Sequence, residues 1–277
     1  MKITEIIKDA FLFPSKNTGR YAIYLLLSVL IVLFALGGVL TNAFGIIDSE
    51  NYLTGGMYFL IAFIIGILIS GYHIKIIKSG IEHDENVPGF KLYEDFMTGF
   101  DNAVVLIFYY MIPALIVVVV GYGANLFGNA IAVCQEVVLQ AFNVYIMSGP
   151  VDVAVNAISH TLSNFANSLA ITVTVALVLY VVFSFLQSMA GARLANTGSL
   201  KEALNIFESA KDMKKIGVGK VIIVTLVVLA LIAVIELLLA IILNKYPFLL
   251  LTFSIVITPY FVLVTQRALG LLYSDIV

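Results

Sequence analysis

Apolar residues gather in six long runs along this chain, near residues 21–40, 57–77, 103–122, 169–190, 218–243 and 247–266. Each is about the 20 residues that a helix needs to cross roughly 30 Å of hydrocarbon. None alternates with a period of two, so none reads as a barrel strand. Inside a bilayer only a helix satisfies its own backbone within one segment. The pattern therefore predicts an all-α fold, a polytopic transmembrane helical bundle of about six spans, with residues 1–277 forming a single integral membrane domain.

Three shorter segments show a helical stripe instead. Ile3, Ile6, Ile7, Ala10 and Phe11 share one face of residues 1–14, which Pro14 ends. Leu92, Tyr93, Phe96, Met97 and Phe100 form a second face, opposite Lys91, Glu94, Asp95 and Thr98. Ser199 and Glu202 make a capping box before Leu200, Ala203, Leu204 and Phe207. All three read as interfacial amphipathic helices, with the apolar face toward lipid or toward the bundle. Such helices can simply anchor the spans, or they can offer a docking surface to a cytoplasmic partner or to anionic lipid.

Residues 123–168 are too apolar for a plain loop. Asn125, Asn129, Glu136, Gln140 and Asn143 form one polar stripe, and Asp152, Asn156, His160, Ser163 and Asn167 form another. Ser148-Gly149-Pro150 marks a turn between them. This is an extracytoplasmic helical hairpin on or partly in the outer leaflet, whose second arm continues into the fourth span. Its stripes face solvent, pair with each other, or line a wet cavity.

Charge sets the expected orientation. Of 15 Lys and Arg, four lie in residues 1–20, three in 73–102, six in 191–220, and Arg267 in the tail. Lys245 alone lies on the other side. The positive-inside rule then puts both termini in the cytoplasm of a multi-pass cell-membrane protein. The opening residues carry Lys2, Glu5, Lys8 and Asp9 and do not read as a secretion signal. Composition agrees, with 61% apolar and 12% charged residues, and a net charge of -2 suggests no nucleic-acid partner. Trp is absent, so Tyr52, Tyr58, Tyr122 and Tyr246 at outer span ends, and Tyr21, Tyr72 and Tyr273 at inner ones, read as interfacial anchors. Cys134 is the only cysteine, which excludes an intrachain disulfide.

Candidate chemistry is sparse. Glu236 is the one ionisable residue well inside a span, a place that is costly and functional by default. It reads equally as a neutral carboxyl bonded to a neighbouring helix. Pro113 and Pro259 interrupt the third and sixth spans and free the carbonyls of Tyr109 and Ile255. Arg193, Lys211, Lys214, Lys215 and Lys220 are candidate anionic-lipid contacts in a segment of net charge +3. Glu82-His83-Asp84-Glu85 reads as an exposed acidic turn rather than a metal cluster. Gly37-Gly38, Gly121 and Gly123 read as close-packing glycines. No catalytic motif, cofactor or metal site is found.

Ordered landmarks run through the chain: Gly71-Tyr72, Pro88-Gly89-Phe90, Phe96, Gly99, Thr197-Gly198-Ser199-Leu200, Ala203, Lys215-Ile216-Gly217, Pro259-Tyr260 and Arg267-Ala-Leu-Gly270-Leu-Leu-Tyr273. Together they resemble a family of archaeal, largely methanogen, membrane proteins of unknown function, domain-of-unknown-function family four thousand and thirteen. The resemblance covers most of the chain and is weakest in 123–168. It implies an archaeal cell membrane and brings no activity, ligand or site residue. Two functional readings remain. One is a non-enzymatic accessory, assembly or lipid-interacting scaffold, whose partners are membrane lipids, a second copy or another membrane protein. The other is a small-solute transporter or channel that uses Glu236 with the spans of Pro113 and Pro259.

Overall fold

The computed structural model of the chain describes residues 1–45, 50–147 and 150–277. Every regular element among them is helical: α1 (Ile3–Leu12), α2 (Thr18–Gly45), α3 (Glu50–Ile81), α4 (Leu92–Gly123), α5 (Leu126–Tyr145), α6 (Val151–Thr197), α7 (Leu200–Ala203), α8 (Ile206–Ile216), α9 (Val218–Leu243) and α10 (Pro247–Tyr273), with short 3₁₀ turns at Pro14–Lys16 and Ser274–Ile276. Six of them (α2, α3, α4, α6, α9 and α10) are long and apolar enough to cross a membrane. The all-α, six-span reading holds.

The helices outrun the apolar runs. α4 carries its amphipathic first turns straight into the span. α6 is one helix of 47 residues, about 70 Å long at 1.5 Å per residue, so the second arm of the hairpin does continue into the fourth span. The turn at Ser148-Gly149-Pro150 falls partly on residues outside the described set. The third amphipathic segment is broken where one helix was expected. Ser199 Oγ caps α7 by accepting from the Glu202 N–H at 3.4 Å, and Asn205 Oδ1 starts a second helix by accepting from the Glu208 N–H at 3.2 Å. Restarting at Asn205 re-phases the stripe and leaves Phe207 87% exposed.

The chain forms two compact units: residues 1–106 with 186–277, and residues 107–185. In the first, Phe13, Tyr24, Ile69, Tyr72, Ile76, Val87 and Leu263 make a buried core. Phe90 stacks on Tyr72 at 3.9 Å between ring centroids. Tyr72 and Tyr273 are thus buried, where headgroup-level anchors were expected. Tyr72 donates to the Pro88 carbonyl at 3.2 Å, and Tyr273 to Asp212 at 2.7 Å. Of the expected close-packing glycines, Gly37 and Gly38 do pack closely, since a Cβ there would meet the Tyr58 ring at 3.4 Å and the Phe59 ring at 3.1 Å. A Cβ on Gly71 would overlap the Asp95 carbonyl, and one on Gly99 the Ile67 carbonyl, so α3 and α4 touch backbone to backbone there. A Cβ on Gly123 would meet nothing.

The amphipathic faces divide. Ile6 and Ala10 of α1 are buried, so that stripe faces the bundle. In α4 it is Asp95, Gly99, Val105 and Tyr109 that are buried, while Leu92, Tyr93, Met97 and Phe100 face outward.

In the second unit, α5 and the first part of α6 meet through Asn129. Its amide donates to the Asn164 carbonyl at 3.3 Å and to Ser168 Oγ at 3.2 Å. Gly121 lets α4 approach Thr172 of α6.

Candidate functional site

Ion pairs gather one end of the first unit. Asp95, wholly buried, faces Lys75 of α3 at 2.5 Å without a directed hydrogen bond, so that contact is ionic. Its other oxygen accepts the Lys91 N–H at 2.7 Å and closes the start of α4, where a negative charge suits the helix dipole. Arg267 is 1% exposed. It donates to Asp9 of α1, to Ser79 Oγ at 3.1 Å and to the Asp84 carbonyl at 2.8 Å, and stacks 4.1 Å above the Phe13 ring. Burial raises the Asp9 carboxyl, but hydrogen bonds and charge from Arg267 and Lys16 outweigh it and hold it below its ordinary value. The Asn86 backbone N–H and side chain hold Asp84 down in the exposed acidic turn.

The same logic shapes α8. Glu208 stands in its first turn and Lys214 and Lys215 in its last, each suited to the helix dipole. Arg193, from the end of α6, reaches Asp212 Oδ2 at 2.7 Å, Glu202 Oε2 at 2.8 Å and Glu208 Oε2 at 3.9 Å. Tyr273 donates to that same Asp212 oxygen. One half-buried guanidinium therefore lies within 4 Å of all three acidic side chains of residues 191–220. What remains facing out is Phe207, Lys211 and Lys214 at i, i+4 and i+7, with Lys215 beside them. Lys211–Glu208 at 3.4 Å and Lys215–Asp212 at 3.6 Å are pairs of exposed lysines, which stabilise little.

Of the five candidate lipid contacts, Lys211, Lys214 and Lys215 share this outward face. Arg193 is turned inward, and Lys220 is engaged by Asp275 and by the Met1 carbonyl. Glu236 lies exposed on α9, with no hydrogen bond or ion pair among the described residues. Pro113 and Pro259 are buried inside α4 and α10, which run through them unbroken. Glu236 and Pro259 belong to the first unit and Pro113 to the second.

Arg267 was counted as a tail charge and its role missed. The signal was there: Leu263, Val264, Ala268, Leu271 and Leu272 continue the helical stripe to residue 273 with no breaker.

A family model described as "Protein of unknown function (DUF4013)" matches residues 54–244, more than half of the chain, and the chain belongs to that family. No curated protein and no solved structure matches it.

Proposed function

We propose that this member of the DUF4013 family is a non-enzymatic membrane scaffold that holds anionic lipid headgroups against α8, with its charged loops and both termini on the cytoplasmic side. One observation carries the reading. Arg193 holds Asp212 at 2.7 Å and Glu202 at 2.8 Å, with Glu208 at 3.9 Å, while Lys211, Lys214 and Lys215 stand outward with Phe207. A basic face beside an exposed aromatic ring suits an anionic leaflet, each lysine contributing about 1 kcal/mol.

The test is lipid selectivity. The purified protein is placed in phosphatidylcholine vesicles that contain spin-labelled phosphatidylglycerol, and the motionally restricted lipid fraction is read. Phosphatidylglycerol is expected in excess over labelled phosphatidylcholine, with the excess lost in K211Q/K214Q/K215Q and in high salt. Equal retention, or an excess that survives the triple substitution, overturns the reading. A solute flux that depends on Glu236 would replace the scaffold with the transporter.

A further inference from the structure

We infer that α5 is a lipid-embedded arm whose outward face, Cys134, Val138, Leu139 and Phe142, packs against acyl chains at the headgroup boundary of the outer leaflet. The argument begins with polarity. Asn129, Glu136, Gln140 and Asn143 are the half-buried side of α5, and Asn129 is hydrogen-bonded to α6. Gln140 Nε2 donates to Glu136 at 2.8 Å, so these polar groups serve one another. Outward stand Ile131, Val138, Leu139 and Phe142, each more than half exposed. A helix lying on water would show the reverse.

The neighbouring arm supplies the contrast. Asp152, Asn156, His160, Ser163 and Asn167 of α6 are all exposed. That arm also exposes Val151, Val153, Val155 and Leu162, each at least half exposed, so its outward surface is mixed where that of α5 is apolar. Cys134, Gln135, Val138, Leu139 and Phe142 form one open patch along α5. It carries no charge, and Gln135 is its one amide, which suits the boundary rather than the centre of a leaflet. Exposed Tyr122 and Tyr145 bracket the helix, as aromatic side chains do at headgroup level. Val118 and Val119 on α4 and Ile171 on α6, in the same unit, are also more than half exposed. Uncharged chains match it; an aqueous loop or a charged partner does not.

Cys134 makes the test direct, because it is the only cysteine and is exposed. A nitroxide is attached to it in the otherwise unchanged protein, in phosphatidylcholine vesicles. Collision rates with oxygen, which favours hydrocarbon, and with a nickel chelate, which favours water, are then compared. Oxygen is expected to exceed the chelate several-fold, at Cys134 and again at F142C in a C134S background. Chelate dominance would put the face in water and overturn the inference. Low accessibility to both, with dipolar broadening between labels, would put a second copy there instead and equally overturn it. If the double variant fails to fold, Cys134 alone still decides. The result is independent of the lysines of α8, so failure here is separable from failure of the lipid-selectivity reading.

Discussion

Arg267 and Asp9, 258 residues apart, meet side by side, with Nε at 3.0 Å and Nη2 at 2.8 Å from the same carboxylate oxygen. A guanidinium almost out of reach of solvent thereby fastens the first helix to the last. Tyr260 repeats the link by donating to the Phe11 carbonyl at 2.5 Å. α1 is therefore a docked part of the bundle as well as an amphipathic segment.

Removing the guanidinium should be costly, because it leaves Ser79 and the Asp84 carbonyl without this donor and Asp9 with Lys16 alone. Arg267→Gln is expected to lose about 3–5 kcal/mol, the range for breaking a buried pair. Arg267→Lys keeps the charge but not the planar fork, and should recover only part. Thermal unfolding in one detergent compares the three. A glutamine variant as stable as the parent would mean the pair is idle.

The Asp9 pair should also give the protein an acid limb. Its carboxyl is held below the ordinary value of about 3.9, so the unfolded chain binds the extra proton first. The stabilisation is full above that ordinary value and is lost as pH falls through the lower, folded one. Asp9→Asn is expected to remove this limb, leaving melting temperature flatter below about pH 4. An unchanged slope would show that other carboxylates carry it.

Asp212 and Tyr273 separate a charge from a hydrogen bond. Asp212→Asn leaves Arg193 short of a buried carboxylate and should cost about 3 kcal/mol or more. Tyr273→Phe removes one donor while the ion pair stays, and should cost about 1 kcal/mol. Chemical denaturation of both variants checks the order. Equal losses would mean that Arg193 gains little from Asp212.

The spans were legible because hydrocarbon imposes a length and a composition on each of them, and α9 begins and ends where its apolar run does. Ser199 was legible as a cap because capping is local. The contacts between helices were not. Nothing near Asp9 points to Arg267, and the α4 stripe gave a face without saying that Asp95 and Gly99, rather than Leu92 and Met97, would turn inward. Several of the landmarks that carried the family resemblance are contact or capping residues: Gly71 and Gly99 at a helix crossing, Phe90 stacked on Tyr72, Ser199 as a cap, and Arg267 and Tyr273 bonded to Asp9 and Asp212.

The crossing of α3 and α4 yields the sharpest prediction. A methyl on Gly71 or Gly99 would collide with a carbonyl oxygen of the other helix, and backbone cannot rotate aside as a side chain can. Overpacking typically costs about 1–3 kcal/mol. Here the helices must part, which also stretches Lys75 from Asp95 and Asn102 from Ser70, now 2.8 Å apart. Gly71→Ala and Gly99→Ala should therefore each fall at or above the top of that range. Gly66→Ala, on the same α3 but with open space around its Cβ, should be neutral or gain up to about 1 kcal/mol in helix propensity. Since either methyl parts the same two helices, the double variant should lose less than the two single losses combined. Melting temperatures of the four variants in one detergent decide it. If Gly71→Ala behaves like Gly66→Ala, α3 and α4 do not touch at this crossing.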